Sequence, residues 1–311
     1  MVFSYLWLLA DKMFTQILIN GLITGLLFSM AALGFSLIYG GTRVFHLAHG
    51  AVYTAAAYLY LTWLLLWRGA IGEPGWQSYL IAGFLTLVSI SLLAASLERI
   101  VYFPLFARKA SPLVNFISSL GVYIVIVNLI ALFFGNEIKT LNPEVTPAAN
   151  IGGVIITRMQ MFQFVIPVFV LSLVFIMLRK TTLGRNIRAL SDNPTLASVF
   201  GLDPKKIRLM IIIIGSALAA VASLLQALDV GIDPQMGLPV VLTAAVAAIV
   251  GGANSYVGAL LAALFLGVAQ NSAVWFISAR WQDAITFIVL MFILLARQEG
   301  VFAARLRMEE R

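Results

Sequence analysis

The chain has no cysteine among its 311 residues, only two histidines, and charge on just 11% of positions. Without thiols there is no disulfide scaffold, no thiolate zinc site and no cysteine nucleophile. A soluble domain carries charge at about 25% of positions, so an ordinary water-soluble domain is excluded. An apolar content of 61% excludes a disordered chain. No Gly-Lys-Ser or Gly-Lys-Thr occurs, so the loop that cradles nucleotide phosphates is missing. No Gly-x-Ser-x-Gly elbow is present either. The paired acids Glu309 and Glu310 belong to a polar tail. No catalytic residue, metal site or cofactor held by this chain is expected, so the chain is not read as an enzyme. The net charge of +7 does not point to nucleic acid, because the charges lie between apolar runs.

Those runs have membrane-spanning length. A spanning helix needs about 20 mostly apolar residues. The runs fall at 15–39, 46–67, 79–102, 113–135, 160–178, 209–229, 238–250, 256–277 and 282–296. The expected fold is all-α: a polytopic transmembrane helical bundle of about 8–9 segments, forming one domain over 1–311. The run 238–250 gives only about 20 Å of helix against a core about 30 Å thick, so it reads as short or re-entrant. The first ten residues lack a basic stretch, so no cleaved signal peptide is expected. With nine crossings, 15 Lys and Arg fall on one set of alternate loops and 5 on the other. The positive-inside rule then places the N-terminus outside and the C-terminus in the cytoplasm. Small residues recur four apart at Gly21, Gly25 and Ser29, at Ala244 and Ala248, and at Gly258 and Ala262. That spacing suits close helix packing within the bundle, or a dimer seam.

No acid or base lies in the middle of any run, which argues against a proton-coupled pump. Polar groups within the runs are Asn115, Asn128, Ser216, Gln226, Gln270 and Asn271. Each either lines a solute path or makes a helix–helix hydrogen bond. His46 and His49 share one helix face. They are candidates for the path, or packing histidines at a helix start; a metal site would need a third ligand. The most informative segment is the loop 179–208. Asn193 suits an N-cap, Pro194 the first helical position and Gly201 the residue past the end. On the bracketed helix Leu196, Val199 and Phe200 share a face. So short a helix is not stable alone, and its apolar face needs its own bundle, the lipid surface or a groove in a partner protein.

The segment Gly184-Arg185-Asn186-Ile187-Arg188-Ala189, followed by Asn193, Ala197 and Gly201, resembles the cytoplasmic coupling loop of the branched-chain amino-acid-type ABC permeases. His46-Leu47-Ala48-His49-Gly50 is similar to that family's Asn-Phe-Ala-His-Gly signature, with His46 in place of Asn and Ala51 in place of the following acid. Ala247-Ala248-Ile249-Val250-Gly251-Gly252 is similar to its late Gly-rich segment. The resemblance covers roughly 14–301. It implies a permease subunit of an importer in the bacterial inner membrane. The solute would be a branched-chain amino acid or another small polar compound such as urea, an amide or another amino acid. The implied partners are a second permease subunit (a different chain or a second copy), two cytoplasmic ATPase subunits that use ATP and Mg, and an outer solute-binding protein, in a lipid surround. Gly184, Arg185, Arg188, Asn193, Pro194, Leu196, Ala197, Val199, Phe200 and Gly201 would couple to the ATPases. The other readings are an autonomous channel or facilitator for a small neutral solute, and a purely structural membrane subunit.

Overall fold

The computed structural model describes residues 2–71, 76–141, 147–252, 255–297 and 301. Pro143, Glu309, Glu310 and the tail cations Arg305, Arg307 and Arg311 lie outside them. The elements are α1 (Val2–Thr42), α2 (Ala48–Ile71), α3 (Trp76–Leu97), a π-helical turn (Glu98–Tyr102), α4 (Phe103–Ala107) and α5 (Pro112–Phe134). A hairpin of β1 (Ala148–Ile151) and β2 (Val154–Thr157) follows, then α6 (Arg158–Lys180), α7 (Thr182–Asp192), α8 (Pro194–Val199) and α9 (Pro204–Val230). The chain ends with α10 (Gly237–Gly251), α11 (Tyr256–Val274), a 3-10 turn and α12 (Gln282–Ala296). Eight helices among the described residues are long and apolar enough to cross a membrane. The fold is thus an all-α polytopic bundle, with one short antiparallel hairpin added. That hairpin was not expected, yet Gly152-Gly153 announces it: both have positive φ, 64° and 93°, as a two-residue hairpin turn requires.

Two helices begin inside the bundle. The Ala48 N–H donates to Ser119 Oγ at 2.9 Å, and Ser119 lies two turns into α5, about 10 Å from its start. The linker 43–47 therefore folds back into the bundle before α2 rises. At α10, the Gly237 N–H donates to Thr54 Oγ1 at 3.1 Å, some two turns further along α2. The segment 231–236 comes in from the opposite side; Lys139 and Ile232 pair across it. Helix α10 then runs on to the side of residues 41 and 191. There the Val301 N–H donates to the Val250 carbonyl at 2.7 Å. The short seventh run, with its entry segment, thus connects the two ends of the bundle. One end carries 43–47, 108–111, 180–203 and 301. The other carries the hairpin, which bonds Gln16 through Ile155, and the segments 231–236 and 275–281.

The helices approach at glycines. A Cβ on Gly34 would sit 2.6 Å from the Gly215 carbonyl oxygen, and one on Gly50 would sit 2.7 Å from that of Gly237. Gly21 and Gly25 meet the backbone of α11 in the same way, and Ser29 Oγ donates to Leu260 O at 3.1 Å. The small-residue spacing in α1 therefore packs within the bundle rather than at a dimer seam. Gly34→Ala should destabilise the protein by about 1–3 kcal/mol, because the backbones must part. Gly121→Ala, with open space around it, should stabilise by about 0.5–1 kcal/mol. Thermal unfolding of the two variants in detergent checks the pair.

Candidate translocation and coupling site

A cavity of about 380 Å³ opens at the hairpin end of the bundle. Gln163, Gln226, Asp229, Asp233, Gln270 and Asp283 contribute its polar wall. Leu27, Phe28, Met236 and Val240 contribute an apolar one. No Lys or Arg lines it. The start of α10 forms part of the wall, because the entry segment brings Asp233 and Met236 inward. The amides are held: Tyr53 Oη donates to Gln226 Oε1 at 2.5 Å, Gln163 Nε2 donates to Asp229 Oδ2 at 3.2 Å, and Gln270 Nε2 donates to Thr286 Oγ1 at 2.5 Å. Sequence reading singled out Gln226 and Gln270 but not Gln163. The signal was an amide three residues after Gln160 in the mostly apolar run 160–178. Only the fold shows that the carboxylates converge, because they come from three separate segments.

At the opposite end, the loop 179–208 is mostly helical. Thr181 caps α7, its Oγ1 accepting from the Gly184 N–H at 3.2 Å, and α7 buries Ile187 and Leu190. Asn193 caps α8, Oδ1 accepting from the Leu196 N–H at 2.9 Å, with Pro194 at the first position. Gly201 ends it at φ 80°. Leu196, Val199 and Phe200 are exposed, the last two at 77%. Arg185 is exposed as well. Gly184 and Ala197 are not available to a partner: both are buried, Gly184 packs tightly on the Leu178 backbone, and Arg188 Nη1 donates to the Leu178 carbonyl. Those three hold α7 and α8 in place.

The family model for the branched-chain amino acid transport system permease component matches residues 17–294. The chain belongs to that family. The permease is 29% identical over 296 residues to the high-affinity branched-chain amino acid transport system permease protein BraD of Pseudomonas aeruginosa, covering 93% of this chain and 95% of that one. It is 28% identical to the permease protein LivH of Escherichia coli K12, over 93% and 95% of the two chains. To the probable LivH of Methanocaldococcus jannaschii it is 26% identical, over 94% of each chain. No solved structure matches it. The permease is a multi-pass membrane transport subunit, and the autonomous-channel reading is not favoured.

The remaining path candidates scatter. Asn115 lines a separate cavity at the coupling end. Asn128 is on the exposed face of α5 and donates to its own helix at Ile124 O, so it lines no path within this chain. Asn271 Nδ2 donates to Gly267 O, again within its own helix. His46 and His49 are 1% exposed, and neither lines either cavity. They are core residues of the permease rather than interfacial ones. His46 meets the Tyr102 ring at a tilt of 48° with 4.8 Å between centroids, and His49 meets Phe35 edge-on at 6.3 Å.

The charged pair that holds the coupling end escaped sequence reading. Glu98 stood inside the run 79–102, and Arg208 counted as one more loop cation. In the fold Arg208 Nε donates to Glu98 Oε1 at 2.9 Å, both side chains being nearly fully buried. Arg208 Nη1 reaches the Thr42 carbonyl at 3.4 Å, and the guanidinium lies over the Phe106 ring at 4.4 Å. Glu98 opens the π-helical turn, an extra-residue kink common at functional sites. The pair ties α3, α1 and the start of α9, the helix that follows α8. Breaking a buried pair strands a charge, at about 3–5 kcal/mol. Arg208→Met alone should therefore destabilise the permease by that amount. Arg208→Met with Glu98→Gln should recover most of it. Unfolding midpoints of the two single variants and the double variant measure the coupling.

Proposed function

We propose that the permease forms the solute path of an ATP-driven importer, beside a second permease subunit, with two ATPase subunits docking on α8 and a solute-binding protein docking on the hairpin end. The observation that carries the proposal is the exposed trio Leu196, Val199 and Phe200 on a helix too short to stand alone, fixed by a cap, a positive-φ glycine and a buried Ala197. Such an apolar face on rigid supports suits insertion into a groove. The family supports the same reading, since its relatives bear the names of transport-system permeases. The ATPases would use ATP and Mg; this chain supplies no phosphate loop. The Lys and Arg bias supports a cytoplasmic coupling end, hence an outer N-terminus and an inner C-terminus, in a bacterial inner membrane.

For the solute, we infer a branched-chain amino acid or a similar small polar molecule. The cavity supports this by its two walls. Amides and carboxylates suit an ammonium group, Leu27, Phe28, Met236 and Val240 suit an aliphatic side chain, and the missing cations disfavour an anion. Neutral amides and urea would find hydrogen bonds but no use for the apolar wall.

Two outcomes are expected. Truncating an aromatic interface anchor costs about 2 kcal/mol or more, roughly thirtyfold in affinity. In reconstituted vesicles Phe200→Ala should release the ATPases or uncouple their hydrolysis from solute, while Thr182→Ala should not. Wild-type assembly and solute-stimulated hydrolysis in both would reject the docking role. For sidedness, the exposed Ser198 and Ser278, at opposite ends of the bundle, are the informative sites. In a chain without native thiols, an impermeant reagent on intact cells should label Ser278→Cys and spare Ser198→Cys.

A further inference from the structure

We propose that the cavity at the coupling end of the permease is an anion site that takes a phosphate group, supplied by the headgroup of an anionic phospholipid or by free phosphate. The cavity measures about 250 Å³ and lies between the end of α1, the α4–α5 turn, α7 and the start of α8. Three cations, Arg43, Lys109 and Arg208, line it, and no acid does. They come from three separate parts of the chain; Glu98 offsets Arg208 from outside the cavity, and Arg43 and Lys109 bring further positive charge to its wall. Arg208 is 1% exposed, and its Nη2, like the Oε2 of its partner Glu98, has no hydrogen-bond partner. Glu98 engages Nε and the Thr42 carbonyl engages Nη1, which leaves that one donor unspent.

The rim adds to the argument. Arg43 and Lys109 are the two non-glycine residues with positive φ among the described residues, at 56° and 51°. Both stand just past a helix end, where a left-handed residue closes the last turn: the Arg43 N–H donates to the Tyr39 carbonyl, and the Ala110 N–H to the Leu105 carbonyl. Arg43 Nη2 also donates to Ser191 O at 2.8 Å, which fixes the guanidinium at the wall. Pro112 brings in the positive N-terminal end of the 23-residue α5. Guanidinium forks match phosphate oxygens, and a lysine adds a point charge. The rest of the wall, including Val44, Phe106 and Pro194, is apolar, which suits the glycerol beside a headgroup phosphate. Pro194 is the first residue of α8. An occupant would therefore rest against the base of the coupling helix and bridge it to α1, α5 and α9.

Native mass spectrometry of the purified permease, with phosphatidylglycerol or phosphatidylcholine added, tests the site. Phosphatidylglycerol should be retained over phosphatidylcholine. Lys109→Gln should weaken that retention about fivefold, the effect of one cation near a membrane surface. Lys180→Gln, at the same end of the bundle but away from the cavity, should leave it unchanged. If inorganic phosphate, but not chloride at equal ionic strength, raises the thermal midpoint in a Lys109-dependent way and no lipid is retained, free phosphate is the source. Equal retention of the two lipids with no effect of phosphate would overturn the proposal. So would equal losses in both variants, which would mark a diffuse charged surface. No transport enters the readout, so the result stands apart from the importer reading.

Discussion

Backbone contact at glycine is the constraint on which the rest of the permease depends. Between helices in lipid there is little hydrophobic driving force, since acyl chains are as apolar as leucine, and association rests on close packing. Gly34 against Gly215, Gly50 against Gly237, and Gly21 and Gly25 against α11 bring backbones together around α1. That closeness fixes the depth at which α2 and α10 begin. It also fixes the entry segment 231–236, and with it the carboxylates of the cavity at the hairpin end. A methyl group at these crossings would move the site as well as the helices.

The two ends of the bundle are chemically opposite. The hairpin end holds a cavity with amides, acids and an apolar wall. The coupling end holds cations around a smaller cavity, with α8 displayed beside it. At that same end the buried Glu98–Arg208 pair secures the first turns of α9. Helix α9 carries Ser223, whose Oγ donates to Tyr53 O at 2.6 Å, and Gln226, which reaches the cavity at the hairpin end. The α8 helix is therefore followed by a helix that lines the hairpin-end cavity, through a joint that is both charged and buried. The energetics support a rigid lever: a buried pair resists separation because each charge alone would be stranded.

Much of the fold was legible because lipid imposes a local rule. Each spanning helix must carry its own run of about 20 apolar residues, so the runs appear one after another in the sequence. Their ends were less legible. Arg158, Gln160, Lys205, Lys206 and Arg208 are polar yet helical, since a span continues past its apolar run and into its caps. The α8 helix was readable for a related reason. Asn193, Pro194 and Gly201 act within a turn of themselves, and their geometry is as the residue types require. The hairpin carried an equally local signal in Gly152-Gly153.

The sequence by itself determined which segments enter the membrane, where α8 starts and stops, and which family the signatures resemble, because each of these rests on neighbours along the chain. Only the tertiary structure decided which polar groups meet. Gln226 and Gln270 line a cavity, while Asn128, chemically similar, faces outward. His46 and His49 are sealed in the core. Gly184 serves packing within the coupling loop. Glu98 finds Arg208 from 110 positions away. Such meetings depend on the rotation and depth of each helix, and these follow from which glycines touch; hydropathy along a single run does not encode them.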